Sequence, residues 1–296
     1  MRVAVTGASG FIGRRLVARL VSEAAEVVTL GRKPAAQRAV DFIPWQASDP
    51  VDKQAFNGID AVIHLAGEPV AQRWSAEVKK RIHDSRVIGT RNVVTALWDG
   101  NSRPRVMVAA SAVGYYGDRG EEVLTERSRP GNDFLAQTCV KWEAESRRAE
   151  ELAVRVVMLR TGIVLGAGGG ALATMVPPFR AGVGGPVGSG KQWVPWIHLD
   201  DMVEIIMWAL HDTRVSGPVN ATAPHPVRNA EFAKELGHAL GRPSLVPVPA
   251  FGLKLMYGEM AGVVLGSQRV VPEGALAAGY TFRHPELGPA LRQILS

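Results

Sequence analysis

The sequence predicts an α/β fold: a doubly wound parallel sheet with helices on both faces and a smaller C-terminal α/β lobe. Three observations lead there. Arg2–Thr6 is a short β-branched strand that runs into Gly7-x-x-Gly10-x-x-Gly13 and then an amphipathic stretch to Ser22, the order of a dinucleotide-binding βα unit. Strand-like and helix-like segments alternate through the first half, which requires parallel strands joined by helices. A length of 296 residues suffices for one core domain and a lobe.

In the first turn, Gly7 makes the tight bend and Gly10 lets backbone approach a pyrophosphate. Gly13 lets helix and strand pack closely. A diphosphate would rest on the free N–H groups at the helix start. Thr6, Ser9, Phe11 and Ile12 complete this candidate cradle. The second strand, Glu26–Leu30, ends in Gly31-Arg32-Lys33 with no acid. An acid there holds the ribose hydroxyl of NAD, whereas an Arg accommodates the 2′-phosphate of NADP. Arg32 therefore selects NADP(H). Asp41–Trp45 reads as a short edge strand, weakened by Pro44.

Asp60–Leu65 is an apolar strand whose end, Leu65-Ala66-Gly67, is small enough for a cofactor to lie against the backbone. The helix Ala76–Trp98 starts after Ser75, a good N-cap, with Glu77 in its first turn. The strand Arg105–Ala110 delivers Ser111 to the carboxyl edge. The helix Phe134–Leu152 and the strand Val154–Arg160 follow. Residues 165–190 are rich in Gly and contain Pro177-Pro178, so they read as a lid rather than a helix or strand. Asp200 would cap a helix to His211. The last third offers Glu231–Leu240, a Pro-rich stretch to Phe251, a helix over Gly252–Leu265 and a short terminal helix. The expected division is residues 1–225 for the dinucleotide domain and 226–296 for the lobe.

Composition narrows the function. Hydrophobic content of 46% against 21% charged residues fits a globular chain. The net charge of +6 is scattered, without a basic run carrying interleaved aromatics, so nucleic acid is not expected. The mild positive balance suits an anionic cofactor or substrate. Cys139 is the only cysteine, which excludes an internal disulfide and fits a reducing compartment. The chain begins directly with a strand and has no apolar run of membrane-spanning length, so a cytoplasmic location, with no signal peptide and no membrane contact, is expected. The histidines lack ligand spacing, so no metal is expected. Gly-x-Ser-x-Gly is absent, which argues against a hydrolase.

These motifs, with Ser85-Arg86-Val87-Ile88-Gly89-Thr90, the run Ala110-Ser111-Ala112-Val113-Gly114-Tyr115-Tyr116-Gly117, Arg160–Gly166 and Trp196–Asp201 in order, resemble the extended branch of the short-chain dehydrogenase/reductase superfamily. The likeness covers nearly the whole chain. It is closest to an epimerase-like subgroup that ends in a domain of unknown function, on the His64–Trp74 segment, the Trp193–Asp201 stretch and the tail from Gly266 to Tyr280. The resemblance implies a Rossmann fold, NADP(H), a small-molecule substrate and a homodimer seam along the two long helices. It also implies that Arg160 belongs with the cofactor-binding residues.

The superfamily's chemistry requires a Ser or Thr hydroxyl and a Tyr acid/base tuned by a Lys four residues on. Ser111 would supply the hydroxyl. The helix that should carry Tyr and Lys places Leu135 and Cys139 at those positions. Glu68, which directly follows the fourth strand's end, and Tyr116 are the candidate acid/base replacements; a thiol role for Cys139 is weaker. Arg73, Arg86 and Trp196 are substrate-pocket candidates. Two functions stay open: an NADP(H)-dependent oxidoreductase or epimerase acting on a small carbonyl or alcohol, and a non-catalytic NADP(H)-binding regulator or sensor.

Overall fold

A computed structural model describes residues 1–35, 40–100 and 103–296. The chain opens with β1 (Arg2–Thr6), α1 (Phe11–Ser22), β2 (Glu26–Gly31), β3 (Asp41–Pro44), β4 (Ala61–His64) and α2 (Ala76–Asp99). Next come β5 (Val106–Ala112), β6 (Val123–Leu124), α3 (Phe134–Arg147), β7 (Arg155–Thr161) and β8 (Ile163–Leu165). After α4 (Leu172–Arg180) follow β9 (Trp193–Val194), β10 (Trp196–His198), α5 (Leu199–His211), β11 (Gly217–Ala221), β12 (Val227–Arg228) and α6 (Asn229–Leu240). The chain closes with α7 (Ala250–Tyr257), α8 (Ala261–Leu265), β13 (Arg269–Val270), α9 (Glu273–Ala277) and α10 (Leu287–Leu295).

Seven parallel strands form the main sheet in the order β11-β7-β5-β4-β1-β2-β3. Both faces are covered, which is why the strands are near-continuous apolar runs. Residue parity sorts the side chains between them. Val3, Val5, Ile63 and Val108 pack with Leu16 and Leu20 of α1 and Ile205 and Ile206 of α5. Ala4, Val62, Met107 and Met158 pack with Val93 and Leu97 of α2 on the other side. The strand order reverses between β1 and β4. A crevice opens outside the carboxyl ends of the strands at such a switch point.

A buried hydrogen-bond chain fixes that crevice. Thr6 Oγ1 lies 2.7 Å from His64 Nδ1, and His64 Nε2 lies 3.0 Å from Thr90 Oγ1. The Ala66 N–H donates to Thr6 Oγ1 at 3.2 Å. A neutral imidazole has one donor and one acceptor nitrogen, which suits two hydroxyls.

The stretch expected to hold no helix contains one. Residues 172–180 form α4 with Pro177 and Pro178 inside it. Leu172, Val176 and Phe179 make a helical apolar stripe buried against Trp196, Phe232 and Leu291. That burial outweighs the backbone hydrogen bonds the prolines cannot make. The same cluster joins the 165–236 segment to α10, so the C-terminal third packs onto the main body. The expected single helix over Gly252–Leu265 is α7 and α8, broken where Gly258 takes φ +60°. The helix expected to reach Leu152 is α3 followed by a tighter turn. Ser75 caps α2 as expected, accepting from the Val78 N–H. At α5 the cap is His198, not Asp200; the carboxylate of Asp200 instead pairs with Arg15 at 3.0 Å. Among the described residues, no helix is long and apolar enough to cross a membrane.

Complete burial pushes the His64 pKa down to about 4. The native state holds the ring neutral, so its contribution to stability is full above the unfolded-state value of 6.5 and is lost as pH falls. Between about pH 6.5 and about pH 5 the fold should lose about 2 kcal/mol from this group. Urea unfolding at both pH values should show that slope, and His64→Asn should flatten it. An unchanged slope in the variant would assign the acid sensitivity to other groups.

Candidate functional site

The crevice is a groove of about 430 Å³ lined by Gly7, Ser9 and Gly10, by Gly31 and Arg32, by residues 45–48, and by Leu65, Ala66, Gly67 and Glu68. Lys80, Arg81, Asp84 and Ser85 of α2 close one wall. The glycine turn is shaped for close approach. Gly7 has φ +72°, and a Cβ there would lie 2.7 Å from the Leu65 carbonyl carbon. A Cβ on Gly13 would lie 2.2 Å from the Gly7 oxygen, so α1 packs against its own turn only because residue 13 has no side chain. Gly10 caps α1 without a side-chain hydrogen bond, and no acid stands in the first turn. The first N–H groups are thus available to an anion. Arg32 is exposed beside the groove and makes no ion pair or hydrogen bond among the described residues.

Several expected cofactor residues act indirectly. The Thr6 side chain is fully buried in the His64 chain, so it positions the turn instead of touching a ligand. The Phe11 ring packs beneath Gly166, Gly169 and Gly170, where any Cβ would meet it at 2.6–3.0 Å. Phe11 and Ile12 thus offer backbone, not side chain, to the site. Arg160 is a correction. Its guanidinium grips Glu143 through Nε at 2.8 Å and Nη2 at 2.9 Å, and it lies 3.5 Å from the Tyr115 ring centroid. It stands in the interior, away from the groove.

That ion pair also captures both expected hydroxyls. Ser111 Oγ donates to Glu143 Oε1 at 2.7 Å, and Ser111 is 3% exposed. Tyr116 OH donates to Asn220 Oδ1 at 2.6 Å and accepts from Arg160 Nη1 at 3.1 Å. Burial pushes the Tyr116 pKa up to about 12, and its side chain is fully enclosed. Neither is placed to meet a substrate. Parity was the missed signal: Ser111 falls on the same side of β5 as Met107 and Ala109, and it pairs in register with Arg160. Glu143, absent from the sequence-based candidates, is a buried acid on the apolar stripe of α3. Burial likewise pushes the Cys139 thiol up to about 12, leaving no thiolate.

The remaining candidates divide. Trp196 is 1% exposed and donates Nε1–H to the His225 carbonyl, so it is core and not pocket. Arg73 reaches away to the Leu255 carbonyl of α7 at 3.2 Å. Glu68 lines the groove, 3.5 Å from Arg81, and Arg86 donates to its backbone oxygen at 2.9 Å. His198, Asp200 and His284 come together, but His198 Nδ1 accepts from the Asp200 N–H and Nε2 meets Gln293 at 2.9 Å. Both His198 nitrogens are therefore engaged. A second depression, about 490 Å³, lies between α1, α5 and residues 280–283. Its charges pair with one another, Arg19 with Glu23 and Glu204 and Arg283 with Glu204, so the glycine groove is the candidate site.

Comparison with known proteins agrees with this geometry. A family model, the NAD dependent epimerase/dehydratase family, matches residues 3–221, and a domain of unknown function matches residues 248–294. An Arabidopsis thaliana epimerase family protein, the chloroplastic SDR39U1 homolog, is 45% identical over 302 aligned positions, covering 100% of this chain and 87% of its own. The crystal structure of human epimerase family protein SDR39U1 (isoform 2) with NADPH superposes with a TM-score of 0.88 at 36% identity, covering 100% of this chain and 99% of that one. A nucleoside-diphosphate sugar epimerase from Corynebacterium glutamicum gives 0.81 at 35% identity, covering 100% and 58%.

Glu143→Gln should destabilise the fold by about 3–5 kcal/mol, because it strands a buried guanidinium. Ser111→Ala should remove less, about 1.5–3 kcal/mol, because it deletes one donor to the carboxylate and leaves the ion pair in place. Denaturant midpoints of the two variants check the ranking. Equal losses would mean that the ion pair does not organise this interior.

Proposed function

The chain belongs to the NAD dependent epimerase/dehydratase family, and from that premise we propose that it binds NADP(H) without turning it over through a serine–tyrosine–lysine relay. The division of the site carries the reading. The groove offers a dinucleotide the glycine turn, free helix N–H groups and Arg32. The hydroxyls that would run the relay, those of Ser111 and Tyr116, face the Glu143–Arg160 pair. Arg32 would fork onto the 2′-phosphate of NADP(H). The human relative crystallised with NADPH supports the same cofactor.

One observation favours a second reading, an NADP(H)-dependent oxidoreductase or epimerase acting on a small carbonyl or alcohol. Glu68 lines the groove with its side chain 23% exposed, so it is reachable as an acid/base in place of the missing tyrosine. In that case NADPH oxidation by a carbonyl substrate would vanish in Glu68→Gln and persist in Ser111→Ala.

The cofactor assignment has its own test. Arg32→Ala should weaken NADPH about tenfold or more, a loss typical of a charge-assisted phosphate contact, and NADH much less. Fluorescence titration of both dinucleotides reads this. Equal losses for NADPH and NADH would remove the 2′-phosphate role.

A further inference from the structure

Beyond Gly67 stands Arg86, a cation that makes no ion pair among the described residues. Thr90 of α2 is bonded to His64 at the end of β4. Arg86, four residues earlier, therefore stands just over one helical turn, about 6 Å, further out from the strand ends. Arg86 Nη1 donates to the carbonyls of Glu68 at 2.9 Å and Ile82 at 3.2 Å. Among the described residues its Nε and Nη2 have no acceptor and no carboxylate lies within ion-pairing distance of it. The Glu68 carboxylate lies 3.5 Å from Arg81 and acts on Arg86 only at longer range.

Two neighbours complete the arrangement. The Arg86 guanidinium carbon lies 5.2 Å from the ring centroid of Trp142 on α3. Trp142 is 4% exposed, and its Nε1–H has no acceptor among the described residues. On the other side, a Cβ on Gly67 would come within 3.3 Å of the same guanidinium carbon. The absent side chain at residue 67 thus makes room for the arginine. Unmatched donors on a part-buried cation and a buried indole are unfavourable until an acceptor arrives. Burial lowers the Arg86 pKa from its ordinary value, and the longer-range pull of Glu68 does not restore it.

We propose that Arg86 and Trp142 form an oxyanion subsite for a small carboxylate-bearing ligand that binds next to the dinucleotide groove. The free Nε and Nη2 edge of a guanidinium matches two carboxylate oxygens in a planar fork. Gly67 belongs both to the groove wall and to the space under Arg86, so the subsite adjoins the cofactor's bed. The inference deepens the proposed function by giving its second ligand a charge. It rests on that reading only for the identity of the neighbouring cofactor.

The test is a titration of the full-length protein with malonate and, separately, inorganic phosphate, with and without saturating NADPH. Wild type should bind malonate saturably, and more tightly than phosphate. Arg86→Gln should weaken malonate about tenfold or more, and Trp142→Phe about fivefold, while NADPH affinity stays within about threefold. In wild type, malonate should also shift the Trp142 indole N–H resonance, identified by its loss in Trp142→Phe; this arm stands if Arg86→Gln does not fold. No saturable binding of either anion, equal affinity in Arg86→Gln, or an unmoved Trp142 resonance would overturn the subsite. Phosphate binding more tightly than malonate would overturn the carboxylate assignment. Failure to bind NADPH, with malonate binding intact, would instead count against the cofactor reading alone.

Discussion

The ion pair between Glu143 and Arg160 governs the far end of the site. Both side chains are almost wholly removed from water, at 5% and 3% exposure. Charges in such a setting persist only when each is matched and its remaining donors and acceptors are filled. Ser111 supplies a donor to the carboxylate, and the Tyr116 oxygen and the Glu126 carbonyl take the guanidinium's remaining reach. Asn220 extends the network to β11 and, through the Val271 carbonyl, to the C-terminal segment. The hydroxyls that the sequence offers for chemistry are thus the ones that satisfy this buried pair. A hydroxyl that fills a buried acceptor must give up that hydrogen bond before it can meet a substrate.

The near end obeys a different constraint, the close approach of backbone to backbone. Gly7 and Gly13 bring α1 onto the end of β1, and the Thr6–His64–Thr90 chain holds β1, β4 and α2 in place around the switch point. The groove's floor is therefore rigid. Its charged wall holds groups of unequal freedom: Lys80 and Asp84 pair with each other, whereas Arg32 is uncommitted among the described residues. In the proposed reading, selectivity for a dinucleotide would follow from that residue and from the exposed start of α1.

Much of this was legible in the sequence. The glycine spacing, the β-branched strands and the Ser75 cap each act over a few residues, and each appears where expected. The edge strand β11 was not legible, because Gly217, Pro218 and Asn220 carry turn-like propensities and only pairing with β7 makes them a strand. Nor was α4, whose prolines mask the stripe Leu172, Val176 and Phe179 until a partner surface is known. At the site, residue type was informative and orientation was not. Ser111 stands at the end of a strand, as expected, but parity turns it toward Glu143, an acid whose place on the inner stripe of α3 is the one sign of its burial. Arg160 and Trp196 fail as ligand contacts for the same reason, since the interior claims their donors first.

Holding the dinucleotide and reacting with it through the usual hydroxyls are separable properties of this chain. The most direct measurement loads the purified protein with NADPH, determines the bound stoichiometry and follows nicotinamide absorbance across a broad panel of small carbonyls. The protein should bind one NADPH per chain and show no loss of absorbance that depends on Ser111 or Tyr116. Turnover in the wild type that disappears in both Ser111→Ala and Tyr116→Phe, with NADPH still bound and the fold intact, would contradict this expectation.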